Sequence, residues 1–232
     1  DPSEDADDDW CTNFLDQEFE VGRTRDWSHA NAVIPMDGGR TWLVSYRHLD
    51  ELIAFRAVDE PEGPAGSIRW RMGPTPTSDF EMEGDGLWFW HQHAPELEPD
   101  GTLMVYDNGN GRTDADAPFS RAVRYELDTA SMTVRQVWEH VMPNRLYASF
   151  LGDADLLDGT VLITHGGQFA PCGLEGQDGN FFFGQIVEVD EATGDIVWQI
   201  TTRDDERCTG WAIYRAERIP TIYPPEFVVT TD

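Results

Sequence analysis

The stretch Ile186-Val-Glu-Val-Asp-Glu-Ala-Thr-Gly-Asp-Ile-Val-Trp198 decides the fold class. An apolar strand ends in an aspartate, a turn containing glycine follows, and a second apolar strand ends in tryptophan. The same unit occurs twice earlier, as residues 123–128 before 132–138 and as residues 52–55 before 66–70. A unit repeated along the chain predicts copies of one small sheet rather than a single continuous sheet.

This repeat favours an all-β fold, and within that class a β-propeller, in which small four-stranded sheets follow one another around an axis and bury their faces against their neighbours. The tryptophans recur at intervals of roughly 60–70 residues, which suits a blade with inserted loops. A β-sandwich is the alternative, but it leaves the recurring turn and tryptophan unexplained. Three complete repeats and a partial one predict about four blades. They would be the C-terminal part of a propeller whose other blades precede this stretch or come from a second chain.

Short strands dominate the rest of the sequence. Runs rich in Val, Ile, Leu, Tyr and Trp are bounded by Gly, Asp and Pro, and turns such as Asp100-Gly101 and Asp158-Gly159 precede further strands. No segment has a sustained helical period with caps, so helix is expected to be minor. The predicted strands are residues 41–46, 52–57, 67–72, 102–106, 122–127, 134–140, 160–164, 185–189 and 195–201.

The 232 residues carry 44 acidic and 16 basic side chains, which give a net charge of −28. Such a field repels a polyanion, so nucleic acid is not expected as a partner. No apolar run approaches the length of a membrane span. The sequence opens at Asp1 with no apolar leader, which predicts a processed or trimmed terminus. Residues 1–12 are predicted to be a mobile acidic segment and residues 13–232 the propeller portion.

Three cysteines, Cys11, Cys172 and Cys208, show no close metal-binding spacing. In a secreted protein Cys172 and Cys208, both in loop-like sequence, would form a disulfide, with Cys11 unpaired or bonded to another chain. Three free thiols are the alternative. The acidity suits a secreted or periplasmic location.

Basic residues are scarce, so those that recur at strand ends are the candidates for chemistry. His29 and His93 each stand at the entrance to the first strand of a predicted blade, and such positions converge on the central channel of a propeller. Arg112 follows the next strand in a glycine-rich loop, where a guanidinium can hold two oxygens of a tetrahedral anion. His165, followed by two glycines, has a comparable place in the third repeat and an open approach. It is the predicted nucleophile. A histidine beside an apolar strand is often structural, and its recurrence at equivalent positions favours function.

Further contacts to a bound anion or its aromatic group are expected from Arg47, His48, Trp27 and Asn108. His91 would face the opposite side from His93 if that segment is extended. A metal interpretation competes, because His91-Gln92-His93 offers a ligand pair and residues 107–110 have calcium-loop character, although the terminal bidentate acid of such a loop is missing. We expect no cofactor and no catalytic metal, and structural calcium stays open.

At these residues the chain resembles the bacterial arylsulfate sulfotransferases that do not use the nucleotide sulfate donor. The order and spacing of the matching stretches are more specific than any one motif. The stretches are residues 26–33 (Asp-Trp-Ser-His-Ala-Asn-Ala-Val), 44–48, 53–55, 66–73, 92–93, 106–112 (Tyr-Asp-Asn-Gly-Asn-Gly-Arg), 120–126, 134–138 and 214–219.

The resemblance implies a six-bladed propeller with its active site in the central channel. It also implies a ping-pong transfer of a sulfuryl group from a phenolic sulfate ester to a phenol, so that both partners are small molecules. On the family's pattern His165 becomes sulfated, while His29, His93 and Arg112 bind the sulfuryl oxygens. The alternative is a non-catalytic propeller that serves as a binding or surface-assembly module, which the acidity and the incomplete blade count favour.

Overall fold

The structure is a computed structural model that describes residues 26–174 and 179–219. Its secondary structure is almost entirely β, with two 3-10 turns at Asp37–Gly39 and Arg47–Leu49. No helix in these ranges has the length and apolarity needed to cross a membrane. The all-β prediction is confirmed. The acidic segment 1–12 and Cys11 lie outside the described residues.

Three antiparallel sheets follow one another along the chain, and within each sheet the main strands pair in chain order. The first sheet consists of β1 (Ala30–Met36), β2 (Thr41–Tyr46), β3 (Glu51–Arg56) and β4 (Ile68–Met72). The second sheet consists of β5 (Glu81–Glu83), β6 (His93–Leu97), β7 (Leu103–Asp107), β8 (Arg121–Asp128) and β9 (Thr133–Val141), with β5 parallel to β9. The third sheet consists of β10 (Asp153–Leu156), β11 (Thr160–Pro171), β12 (Asn180–Asp190) and β13 (Ile196–Thr201). A two-stranded ribbon, β14 (Arg203–Asp204) and β15 (Thr209–Gly210), lies against β12.

Glycine turns connect β1 to β2, β6 to β7 and β10 to β11, as the sequence predicts. These pairs are the first two of the four antiparallel strands in each of the three main sheets, since β5 lies at the opposite edge of the second sheet from β6. Gly39, Gly101 and Gly159 have φ angles of 86°, 86° and 78°. Glycine adopts this left-handed region without the steric cost that a Cβ imposes. The three hairpins therefore fold in the same way, and they set the register in which the second strand returns.

The first strands of the sheets lie together at the centre. β1 is beside β6, and β6 and β7 are beside β10. Leu43 and Val105 belong to a core between the first and second sheets, while Met104 and Ile163 belong to a core between the second and third. Sheets that pack face to face with their first strands innermost are the blades of a propeller. Of the roughly four blades expected, the described residues form three.

The first two of the three repeated tryptophans join their blade to the next one. Trp70 is buried and meets Phe80 edge to face at 5.2 Å, in the core shared with the second sheet. Trp138 donates its Nε1–H to the carbonyl oxygen of Glu191 in the third sheet, at 2.9 Å. Trp198, on the last strand of the third sheet, is 46% exposed. The repeat in the sequence therefore reflects an inter-blade contact.

All nine predicted strands are present. Most ends agree within one or two residues, but β11 and β12 run well beyond the predicted 160–164 and 185–189. The strand β10 was not predicted, because Asp-Ala-Asp-Leu lacks an apolar run. Its first aspartate, Asp153, is buried and bonded to Arg215.

The predicted disulfide between Cys172 and Cys208 is confirmed, with Cα atoms 5.2 Å apart. It connects the end of β11 to the loop between β14 and β15. Because 36 residues separate the two cysteines, the cross-link restricts a long loop of the unfolded chain. The bond therefore holds the ribbon to the third sheet.

A buried charge cluster lies at the end of β7 and β8. Asp107 accepts from Arg121 Nε at 2.8 Å and from Arg112 Nη2 at 3.2 Å. Arg121 also donates to Glu139 and to the carbonyl oxygens of two residues of the segment before β6. Burial raises the pKa of Asp107, and the two guanidiniums offset part of that effect.

Replacing Arg121 by Met is expected to lower the free energy of unfolding by about 3–5 kcal/mol, because it removes one of the two guanidiniums that balance the buried Asp107 carboxylate and leaves two carbonyl oxygens without this donor. The matched control is Arg135→Met, which removes an exposed ion pair with Glu126 and should cost less than about 1 kcal/mol. Urea denaturation measures both changes. Equal losses for the two variants would contradict the structural role of Arg121.

Candidate active site

A cavity of about 600 Å³ opens where the first strands of the blades meet. Its wall contains five basic side chains, those of His29, Arg47, His91, His93 and Arg112, and one carboxylate, that of Asp116. It also contains three aromatic side chains from loops and β11, those of Tyr147, Phe150 and Phe169. A wall of this composition suits a ligand that combines an anionic group with an aromatic group.

The two predicted histidines His29 and His93 are brought together in this wall. His29 directly precedes β1, and His93 is the first residue of β6. The adjacent strands are tied by Asn31, which donates its side-chain amide to the carbonyl oxygen of Gln92 at 2.7 Å. His29 has a φ angle of 45°, an uncommon left-handed conformation for a residue with a side chain. The structure thus places both side chains on one cavity, as expected.

The protonation of His93 follows from its neighbour Asn108. The Asn108 amide nitrogen donates to the carbonyl oxygens of Ala148 and Leu151, at 2.7 and 2.8 Å, which fixes the orientation of the amide. Its Oδ1 therefore faces His93 Nδ1, at 2.6 Å. An amide oxygen only accepts, so Nδ1 carries the proton and the lone pair of the neutral ring is on Nε2.

His93 also stays neutral over a wide pH range. Burial, with a smaller contribution from the charge of Arg47, lowers the pKa of His93 to about 3. The ring is therefore an uncharged imidazole with a defined tautomer, which is the form that acts as a nucleophile. Asn108, expected to contact substrate, does not line the cavity. It is fully buried and positions His93 instead.

His29 has a carboxylate for a neighbour rather than an amide. Asp26 Oδ2 lies in close contact with His29 Nδ1, and Asp26 Oδ1 accepts from the His29 backbone N–H at 3.1 Å. His48 packs on the far side of this pair, with its ring centroid 4.8 Å from that of His29. His48 was expected to bind substrate, but it lies behind His29 and does not line the cavity. Aspartate and amide thus give the two cavity histidines different surroundings.

Both predicted arginines line the cavity and are buried. Arg47 donates to the carbonyl oxygen of Ser149 at 2.9 Å. Arg112 uses three of its five N–H donors on Asp114, Phe119 and Asp107. The Arg112 side chain is fully buried, and its charge is balanced by Asp107 and Asp114.

His165 does not lie at the strand-entrance position that the sequence predicted for it. His165 lies on β11, the second strand of its blade, whereas His29 and His93 stand at the start of a first strand. It is completely buried, does not line the cavity, and forms a 2.8 Å hydrogen bond between its Nδ1 and the Tyr106 hydroxyl. The two glycines after it do not open an approach: a Cβ on Gly166 would meet the Ile213 carbonyl oxygen at 2.3 Å, and one on Gly167 would meet the Phe150 ring at 2.6 Å.

Two other residues also lie elsewhere than expected. Trp27, expected to contact the aromatic group, is 64% exposed and does not line the cavity. His91 lines the same cavity as His93 rather than facing away, because its φ angle of 52° breaks the extended conformation. His91 is held by Asp50, which accepts from both its backbone N–H and its ring.

Two residues of the predicted calcium-like loop 107–110 have protein partners in the structure. The Asp107 carboxylate is engaged by two arginines, and the Asn108 side-chain oxygen faces His93 Nδ1. A calcium ion needs six or more oxygen ligands, and these two oxygens already serve other partners. The loop is therefore an arginine- and histidine-binding element.

Sequence reasoning missed the aromatic wall and Asp26. Tyr147 and Phe150 lie in a loop without periodic pattern, and Phe169 lies in the unpredicted extension of β11. The spacing Asp-X-X-His at Asp26 and His29 was the available signal, since a carboxylate three residues before a histidine can reach its ring.

Comparison with known proteins identifies the family of this chain. The arylsulfotransferase (ASST) family profile matches residues 1–215. The chain belongs to the arylsulfotransferase family. The predicted membership is therefore confirmed.

Two curated relatives are both called arylsulfate sulfotransferase AssT. The protein of Escherichia coli O6:H1 is 26% identical over 148 residues, which is 52% of this chain and 24% of the relative. The protein of Lelliottia amnigena is 25% identical over 142 residues, with the same coverage. The matched region is thus about a quarter of the length of these relatives. A solved structure titled "Structure of Dos1 propeller" overlaps with a TM-score of 0.37 at 12% identity, covering 79% of this chain and 49% of that one.

We expect His93 to remain neutral at pH 5 in the folded protein. Because its folded pKa of about 3 is below the unfolded value of 6.5, only the unfolded chain takes up this proton as the pH falls from 6.5 towards 3. The free energy of unfolding is therefore unaffected by His93 above about pH 6.5 and decreases as the pH falls below that value. At pH 5 the decrease is about 2 kcal/mol. Ring ¹⁵N shifts measure the titration, and a His93→Gln variant assigns the signal. A midpoint near pH 6.5 would contradict the assignment.

Proposed function

We propose that this chain carries the reaction centre of an arylsulfate sulfotransferase, which moves a sulfuryl group from a phenolic sulfate ester to a phenol. The observation that carries the proposal is the pairing of His93 with Asn108 at a cavity whose wall contains both basic and aromatic side chains. Membership of the arylsulfotransferase family supports the same chemistry. Because the match spans a quarter of the curated relatives, the activity is inferred for the protein that contains this chain.

In the first half-reaction His93 Nε2 attacks the sulfur of the donor. The N–S bond forms as the bond between sulfur and the phenolic oxygen breaks, and the electron pair leaves with that oxygen. Arg47 and Arg112 hold the sulfuryl oxygens, whose charge must be stabilised throughout the transfer. His29 supplies the proton that the departing phenolate takes up, through Nε2, because Nδ1 is engaged with Asp26.

In the second half-reaction these movements are reversed on an acceptor phenol. The phenol gives its proton to His29, its oxygen bonds to sulfur, and the N–S electron pair returns to His93 Nε2. Tyr147, Phe150 and Phe169 supply apolar surface for the aryl groups. The first half-reaction releases the phenol of the donor before the acceptor reacts, and the second releases the new sulfate ester. This order of release makes the proposed mechanism ping-pong. In this proposal His93 takes the nucleophilic role that the family resemblance suggested for His165, because His165 has no access to the cavity.

Incubation with 4-nitrophenyl sulfate tests the proposal. Release of nitrophenol that depends on an added phenol supports transfer, and equally fast release into water indicates a sulfatase. No turnover by the parent chain would favour the alternative, a non-catalytic binding or surface-assembly module. Trapping with donor alone and mapping by mass spectrometry should place one SO₃ group on the peptide that contains His93. Its presence on His165 would overturn the assignment.

His93→Ala is expected to lower the transfer rate by at least about 10³-fold, because it removes the nucleophile. The matched control is His140→Ala, since His140 is also buried but stacks on Trp138 outside the cavity. The control should keep the parent rate. Comparable losses in both variants would show that the effect is structural.

Asn108 acts as a positioning residue, and its substitution should change the pH profile. Asn108→Asp places a carboxylate on His93 Nδ1, which favours the charged ring and raises its pKa. We expect activity to fall below neutral pH in this variant and to recover as the pH rises. A uniform loss at all pH values would indicate only structural damage.

We also propose a secreted or periplasmic location and a longer propeller. The disulfide persists in oxidising compartments, and the curated relatives are bacterial. The exposed Val197, Trp198 and Ile200 on β13 offer an apolar face to a further blade, from the same polypeptide or from a second chain. The intact mass of the native protein tests the second point, and cell fractionation tests the first.

A further inference from the structure

We propose that Asp26, His29 and His48 form a binding site for a divalent transition-metal ion, with Zn²⁺ as the best match, at the rim of the cavity. One ligand atom of each residue lies within 4.8 Å of the other two. Two imidazoles and one carboxylate are a donor set that Zn²⁺ takes in proteins, with a fourth position left for water. Imidazole nitrogens favour such ions over Mg²⁺ and Ca²⁺, which prefer oxygen.

The backbone fixes the three residues relative to one another. The His29 N–H donates to Asp26 Oδ1 at 3.1 Å, which closes the turn between them. The segment containing His48 is joined to the same turn, because Arg47 N–H donates to the His29 carbonyl oxygen at 3.0 Å and His48 N–H donates to that of Ser28 at 3.3 Å. Little rearrangement is then needed to bring the ligand atoms onto one ion.

The ring nitrogens are also in the state that a metal requires. His48 Nδ1 lies 2.5 Å from the Asp26 carbonyl oxygen, which only accepts, so Nδ1 carries the proton and the lone pair is on Nε2. A ligand histidine that donates its second nitrogen to a backbone carbonyl is the usual arrangement in metal sites. At His29 the ion would take the place of the proton between Nδ1 and Asp26.

Metal binding would then block the transfer reaction, a consequence that rests on the proposed function. An imidazole that uses its lone pair on a metal has none left to accept the proton of a phenol. Zn²⁺ is therefore expected to inhibit, since it competes with the acid–base role of His29. The binding itself requires no assumption about the reaction.

Calorimetric titration of the EDTA-treated protein with Zn²⁺ tests the binding. We expect one site, weakened at least about 10-fold by Asp26→Asn and by His48→Gln. His140→Gln, which alters a histidine outside the cluster, should bind as the parent does. Co²⁺ should show visible d–d absorption that both cluster variants lose. Titration with Mg²⁺, which prefers oxygen ligands, is the control for cation binding by the acidic surface.

Unchanged Zn²⁺ affinity and unchanged Co²⁺ spectra in both cluster variants would overturn the site and assign the ions to the acidic surface. Both measurements report metal binding without any enzymatic turnover. A negative result would therefore refute the metal site and leave the proposed function untouched. Where the parent transfers sulfuryl groups, one equivalent of Zn²⁺ should abolish transfer and EDTA should restore it. Full activity with Zn²⁺ bound would overturn the inhibition.

Discussion

The buried carboxylate of Asp107 connects the fold to the site. It accepts from Arg121, which ties the second sheet to the segment before β6, and from Arg112 in the cavity wall. Its other oxygen accepts from the Trp90 N–H at 2.9 Å, and that segment continues directly to His93. A buried carboxylate is tolerated only where its partners are in place, so this one group requires all three elements to be folded together. The site geometry is thus a consequence of satisfying one desolvated charge.

Charge is distributed in the cavity against the trend of the whole chain. In a chain of net charge −28, the described structure gathers two arginines and three histidines around one pocket. Within it the local partners separate the two histidines of the proposed reaction. An amide oxygen beside His93 holds one tautomer of the ring without adding charge, whereas His29 has a carboxylate beside its ring. The proposed mechanism uses this difference by giving His93 the role of nucleophile and His29 that of acid.

The parts of the fold and of the candidate site that could be predicted are those with a recognisable pattern in the local sequence. The second, third and fourth strands of each blade follow from apolar runs bounded by turns, and His29, His93, Arg47 and Arg112 follow from their positions at strand ends. His165 was misplaced because its repeat was aligned on histidine rather than on the first strand, and β10 has no apolar run by which to recognise it. The aromatic wall could not be predicted, because Tyr147 and Phe150 are brought to the cavity by tertiary packing. The role of Asn108 depends on two backbone carbonyls distant in sequence.

The third blade contributes no basic side chain to the cavity wall among the described residues. The position before β10 is Gly152, with φ 127°, and a Cβ there would meet the Tyr106 ring at 2.3 Å. Tyr106 thus fills the space that a side chain would need directly before β10, the position at which the first blade carries His29. The third blade cannot add a histidine there without losing the packing between β7 and β10. It contributes apolar surface instead, through Phe150 and Phe169. In the proposed reaction the aryl group would therefore contact side chains of the third blade, while the anion would be held by the first two blades.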